Sequence, residues 1–266
     1  MVKFHIGTAG WDYKDWDGPF YPKSLEKHEH LKFYTNFFEI VEINSTFYNL
    51  PGYETVEKWN ERVPEDFQYT VKVWQKITHN LDDPELDSYI SDFFEQLDVL
   101  KDKIELFLLQ FPPWFMYSDK HLKQLTRLIH ELPSDYTYVI ELRDNSWFYV
   151  NIISKFIDGK KSLLGTTYMP NVVPFFFPHQ NKYYIRLIGD RELTVFNQIQ
   201  REQPESMADL KSKVNLLQEN PNIMDIFIIV NNHFQGSGPE SANIIKKMFN
   251  QEAHNFSNQK KLTDFF

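Results

Sequence analysis

The chain has 266 residues, a net charge of −9, 42% hydrophobic and 17% aromatic residues, and no cysteine. Without Cys there are no disulfides, thiolate-held metals, iron–sulfur clusters or cysteine nucleophile, and the acidic balance argues against a protein that coats nucleic acid with a broad basic face. The 24 Phe and 14 Tyr supply a large core built from rings. A reducing cytoplasm suits this composition. The first residues lead straight into a strand-like pattern with no charged-then-apolar leader, and no run of apolar residues is long enough to span a bilayer, so neither secretion nor membrane insertion is expected.

Short runs of β-branched and aromatic residues bounded by turn signals predict eight strands, at 4–9, 38–45, 67–73, 104–111, 136–143, 162–168, 183–189 and 226–232. Helical periods separate most of them. After the third strand, Leu86, Ile90, Phe93, Leu97 and Leu100 fall at spacings of four and three on one face. Leu122, Leu125, Leu128 and Leu132 repeat that pattern before the fifth strand, and Met207, Leu210, Val214 and Leu217 before the eighth. After the sixth strand, residues 170–178 hold three prolines and no helical period, which predicts an extended loop.

Alternating β and α elements imply parallel strands with right-handed crossovers. Eight of them predict an α/β fold of the (β/α)8 TIM-barrel type, irregular after the sixth strand, over 1–250, with 251–266 as a tail. The alternative is an open doubly wound sheet, but no Gly-rich dinucleotide fingerprint follows the first strand.

In such barrels the chemistry sits where strands end and βα loops begin. Strand alternation places Glu42 with Asn44 on one face, Glu141 with Arg143 on another, and Asn231 with His233 on a third. Lys72, Gln110 and Arg186 end the third, fourth and seventh strands. Single buried ion pairs can be structural alone, but charged or amide ends on six strands point to a ligand site. The cations Lys72, Arg143 and Arg186 suggest an anionic substrate, with Glu42 or Glu141 moving a proton. The run Gln235-Gly236-Ser237-Gly238-Pro239 before a helix near Glu240 is a weak phosphate-loop signal. A divalent metal held by Glu42, His79, Glu141, Asp144 and His233 is the other option, without a ligand-spacing motif to support it. No organic-cofactor motif is present.

Several segments resemble the barrel family called domain of unknown function 72, or YecE-like. Gly7-Thr8-Ala9-Gly10-Trp11 with Trp16 and Phe20-Tyr21-Pro22 looks like its opening motif, and Glu42-Ile43-Asn44-Ser45-Thr46-Phe47-Tyr48 with Pro51 like its second. Trp59, Pro64, Phe67, Lys72 and Ile77-Thr78-His79 continue the pattern. Leu109-Gln110-Phe111-Pro112-Pro113, Glu141-Leu142-Arg143 with Ser146-Trp147, and Asn231-Asn232-His233 with Gly236 are similar to later motifs. The resemblance spans nearly the whole chain. It implies a β/α barrel with polar residues at its mouth and brings no established reaction. The family looks like a distant relative of the xylose-isomerase and endonuclease-IV barrels, whose His-rich metal ligation is not evident here. Arg186-Leu187-Ile188-Gly189 also departs, where a histidine before the glycine is expected. Together these readings make Glu42, Lys72, Glu141 and His79 the candidate catalytic residues. Asn44, Gln110, Arg143, Trp147, Arg186, Asn231, Asn232, His233 and Gly236 are the candidate substrate contacts.

The last residues resemble the peptide with which replication and repair proteins bind sliding clamps, with Gln259, Leu262, Phe265 and Phe266 at the anchoring positions. Three functions follow. One is a clamp-associated hydrolase- or lyase-like enzyme acting on DNA or a nucleotide, with a role in DNA repair. The second is an enzyme acting on a small anionic or sugar-phosphate metabolite, and the third is a non-catalytic binding barrel.

Overall fold

The computed structural model describes residues 2–254 and Phe256. The strands are β1 (Lys3–Ala9), β2 (Ile40–Ile43), β3 (Gln68–Lys72), β4 (Ile104–Gln110), β5 (Tyr138–Glu141), β6 (Ser162–Tyr168), β7 (Lys182–Leu187) and β8 (Asp225–Val230). All eight are parallel in sequence order and close into a barrel, β8 pairing with β1 from Lys3↔Asp225 to Thr8↔Val230. The open-sheet alternative is thereby set aside. Between β6 and β7 no helix occurs among the described residues, as the prolines of that segment require.

Two layers of apolar side chains hold the barrel. Ile40, Leu106, Leu108, Val139, Leu163 and Phe227 fill its interior, while the outward faces of the strands pack on the helices. The helices Leu86–Leu97, Asp119–Glu131 and Pro204–Gln218 carry the three predicted periods. Ile90, Phe93, Leu125, Leu128, Leu210 and Val214 are buried on their inner faces. Ser118 caps the second of these helices by accepting a bond from the His121 amide. Leu100 falls beyond its predicted helix, in the 3-10 turn Asp98–Lys103.

Close packing forces one glycine. A Cβ on Gly7 would lie 2.1 Å from the Ile40 carbonyl oxygen, so β1 and β2 approach as they do only because that side chain is missing. At the amino-terminal mouth His5 pairs with Asp225 at 3.0 Å, and Lys182 bridges Glu105 at 2.7 Å and Asp225 at 3.3 Å. These charges close the base of the barrel, where side chains serve stability rather than chemistry.

Several strands end earlier than the alternation predicts. β2 stops at Ile43 because Asn44 takes up helical backbone angles and Ser45–Tyr48 forms one helical turn. β5 ends at Glu141, leaving Arg143 beyond it. β8 stops at Val230, and Asn231 caps the turn Asn232–Gln235. The expected common strand face of Asn231 and His233 does not form, because helical backbone rotates successive side chains by about 100° rather than 180°. The clamp-like residues Gln259, Leu262, Phe265 and Phe266 lie outside the described residues. No helix among those described is long and apolar enough to cross a membrane.

Candidate active site at the carboxyl mouth

The last inward positions of β2, β3, β5 and β7 meet, and that of β4 lies beside them in register, Gln110 Nε2 donating to the Phe111 carbonyl at 2.9 Å. Glu42 from β2, Lys72 from β3, Gln110 from β4, Glu141 from β5 and Arg186 from β7 are all buried. Gln110 pairs in register with Glu141, and Arg186 with Thr167 of β6. Parallel pairing therefore delivers residues far apart in sequence to one level of the barrel.

Arg186 is the hub. Its Nε and Nη2 donate to the two carboxylate oxygens of Glu42 at 2.8 and 2.7 Å, and its Nη1 donates to Glu141 Oε2 at 2.5 Å. Glu42 also accepts from Asn44 Nδ2 at 2.9 Å and from the Tyr184 hydroxyl at 2.7 Å. Because that hydroxyl donates to the carboxylate, Thr70 must donate to Tyr184 across their 2.7 Å contact. Glu141 Oε1 takes the Arg143 Nε at 2.7 Å. Burial alone would lift the Glu141 carboxyl, but the two guanidinium groups outweigh it and hold it at about 2. The same carboxylates push the Arg186 guanidinium above its ordinary value against the desolvation that would lower it. The Glu141 carboxyl is thus ionised, and every oxygen of both acids accepts at least one donor, a geometry suited to holding a scaffold.

Lys72 is placed differently. Its side chain is buried, its Nζ lies 3.6 Å from the centre of the Phe47 ring, and it makes no hydrogen bond among the described residues. Desolvation, with Arg186 and Arg143 nearby, pushes the amine down to about 7, against the opposing pull of Glu141 and Glu42. His79 stands next to it, its ring 5.3 Å from Phe47 and its Nδ1 2.9 Å from Thr78 Oγ1. Burial and the positive charges of Lys72 and Arg143 push His79 down to about 4, so the imidazole is neutral at neutral pH. The Arg143 side chain is nearly buried, yet only its Nε is bonded, leaving both terminal nitrogens without partners among the described residues.

Other expected contacts are not brought to this cluster. Trp147 is fully buried in an aromatic stack, its Nε1 donating to the Phe115 carbonyl at 2.6 Å. Asn232 is buried too, its Oδ1 accepting from Trp16 Nε1 at 3.0 Å and from the Gly238 amide at 2.8 Å. His233 packs edge-on against Phe196, and Asn231 Oδ1 accepts from the His233 amide. Gly236 ends that turn with φ +110°, within reach of Gln198 and Gln200. Most amides of the weak phosphate-loop signal are already used, that of Gly236 by the Asn232 carbonyl at 2.7 Å. The Gly238 amide is taken by Asn232, that of Glu240 by Ser237 Oγ and that of Ser241 by the Ser237 carbonyl, while Pro239 has none. Asp144 is engaged in capping Ser146. Among the described residues no three His, Asp or Glu side chains converge as a metal site needs, so the set of Glu42, His79, Glu141, Asp144 and His233 is not assembled.

Sequence reasoning missed Tyr184 and Thr70, each two residues before a recognised one on the same strand. The alternation that placed Arg186 and Lys72 inward applies equally to them. Phe47 was seen only as part of a motif. Nothing local to it shows that its ring lies against the Lys72 amine.

A closed parallel β/α barrel with a charged network at its carboxyl ends defines a TIM-type barrel with a built polar mouth. The chain belongs to the family described as "Protein of unknown function DUF72", whose model matches residues 5–264. It is similar to the UPF0759 protein YunF of Bacillus subtilis, at 25% identity over 92% of this chain and 93% of that protein. It is also similar to the UPF0759 protein YecE of Escherichia coli K12, at 28% identity over 54% of this chain and 50% of that protein. A crystal structure of a DUF72 family protein from Thermotoga maritima superposes with TM-score 0.77 at 24% identity, covering 94% of this chain and all of that one. One from Enterococcus faecalis gives 0.75 at 22%, covering 97% and 99%.

Proposed function

We propose that the carboxyl mouth is an active site in which the Lys72 amine is the general base, acting on a small anionic, carbonyl-bearing metabolite of the sugar-phosphate kind. The carrying observation is the contrast among the buried ionisable groups. Every oxygen of Glu42 and Glu141 accepts a donor, whereas the Lys72 amine has no hydrogen-bonding partner among the described residues and lies over an aromatic ring. A base works best when its pKa lies near the working pH, and desolvation with two guanidinium neighbours brings this amine there. The free nitrogens of Arg143 supply the anion contact beside it, since a guanidinium edge matches phosphate or carboxylate. Glu42, Glu141 and Arg186 position these groups. The neutral His79 imidazole is available to relay a proton.

The test is proton exchange. Pooled sugar phosphates and small keto acids are incubated with the protein in deuterated buffer and followed by proton and phosphorus NMR. Deuterium should enter next to a carbonyl with the native chain and not with Lys72→Met. Equal exchange by the two proteins, or none by either, removes the reading.

A second reading draws on the terminal sequence alone. Gln259, Leu262, Phe265 and Phe266 match the spacing of a ring-clamp peptide, which favours a clamp-associated enzyme of DNA or nucleotide repair. Deleting 259–266 should abolish affinity for a ring-shaped clamp in calorimetry, and unchanged affinity discards it. Charge at the mouth gives DNA little help, because Arg186 is wholly engaged by carboxylates.

A further inference from the structure

Beside the mouth, between the segments that follow β1 and β2, lies a cavity of about 780 Å3, a size that suits a small organic ligand. Trp11 and Trp59 line it, their rings 5.7 Å apart at 90°, and Tyr13 and Arg62 complete the part that matters here. Most of its charged groups already have a partner within the protein. Asp12 accepts from Lys27 at 2.9 Å and lies 3.6 Å from His30, and Glu26 lies 3.1 Å from His28. Arg62 is the exception. It is half-buried at the end of the helix Tyr53–Glu61, and its guanidinium makes no hydrogen bond or ion pair among the described residues.

We infer that this cavity is a binding site for a flat ring carrying an anionic group, of the nucleoside monophosphate class, with Arg62 receiving the anion and Trp11 and Trp59 receiving the ring. Indole walls bind a planar ring through dispersion and stacking. A guanidinium with five donors and no partner among the described residues calls for phosphate or carboxylate. A neutral sugar would instead need a fan of free hydrogen-bonding groups, and the group left open here is a cation. Asn44 makes the site consequential. It lines the cavity and donates to Glu42 at 2.9 Å, so an occupant would touch a residue bonded to the mouth network. The site goes beyond the Lys72 reading and needs no chemistry there.

The probes are AMP, adenosine and inorganic phosphate, followed by calorimetry and by quenching of tryptophan fluorescence. AMP should bind saturably, with adenosine and phosphate each weaker. Arg62→Ala should weaken AMP about tenfold or more while leaving adenosine unchanged, and Arg62→Lys should recover part of the loss. Trp59→Leu should weaken AMP and adenosine alike. Thermal unfolding of each variant checks that the fold survives. Lys72→Met should bind AMP as the native protein does, so loss of the Lys72 reading leaves this one standing, and the reverse. No saturable binding at millimolar AMP, or native-like AMP affinity in Arg62→Ala, overturns it.

Discussion

Replacing Lys72 with Met tests the central electrostatic claim by stability alone, before any substrate is known. Methionine keeps the length of the side chain and can rest on the Phe47 ring as the lysine does. The folded amine sits at about 7 against an ordinary 10.5. Above about 10.5 it is neutral in both the folded and the unfolded chain, and burial carries no penalty. Between about 7 and 10.5 the unfolded chain binds a proton that the folded one does not, so native stability rises with pH across that window. Below about 7 the full penalty is present, about 5 kcal/mol at roughly 1.4 kcal/mol per pH unit. Lys72→Met lacks this linkage. The unfolding free energy of the variant minus that of the native protein should therefore be largest near pH 6 and fall steeply between pH 7 and 10. Urea titrations of both proteins across that range measure it. The neighbours do not confuse the result, because Glu141 and His79 titrate at about 2 and about 4, below the window. Parallel curves from pH 6 to 10 would refute the reasoning.

Arg186→Met leaves the buried Glu42 and Glu141 without their shared guanidinium and should destabilise by roughly 3–5 kcal/mol in urea unfolding. Adding Glu42→Gln to it should recover part of that loss. Glu141 is held at about 2 against an ordinary 4.5, so its stabilisation is complete above about 4.5 and disappears as pH falls toward 2. Glu141→Gln should consequently flatten acid unfolding across that interval, by roughly 3 kcal/mol in total; a curve as steep as that of the native protein contradicts it. Gly7→Ala drives a Cβ to 2.1 Å from the Ile40 carbonyl oxygen and should yield insoluble protein or a markedly lowered Tm. Trp147→Phe removes the bond to Phe115 and should lower stability by roughly 1–3 kcal/mol, with no change in deuterium exchange at the mouth.

The barrel was legible because its signals are local and repeated. β-branched runs, the leucine periods at 86–100 and 122–132, and the prolines at 170–178 each report their own segment. Glu42, Lys72, Glu141 and Arg186 were legible for a related reason, since polar residues at the ends of apolar strands have few structural excuses. What stayed hidden depends on backbone turning within one or two residues. Asn44 leaves the strand and still reaches Glu42, whereas His233 leaves it and turns to Phe196. The partners of a buried carboxylate are equally invisible in one dimension. Glu42 and Arg186 are 144 residues apart, and only the closure of the barrel shows that the acid is spent on the base.

That closure changes which residue the chemistry can belong to. From the sequence, the acids look like proton carriers and the cations like anion receptors. In the folded barrel one arginine takes up both acids, and the groups left over are an amine with no acceptor among the described residues and the outer edge of Arg143. Burial, with Arg186 fixed nearby, favours deprotonating that amine, and Arg186 stays fixed because Glu42 and Glu141 hold its guanidinium from two sides. The ion network and the tuned lysine are thus one device. A substitution anywhere in the network should shift the titration of Lys72, so a variant such as Glu42→Gln is expected to act on the mouth through the amine even though Glu42 itself touches no substrate.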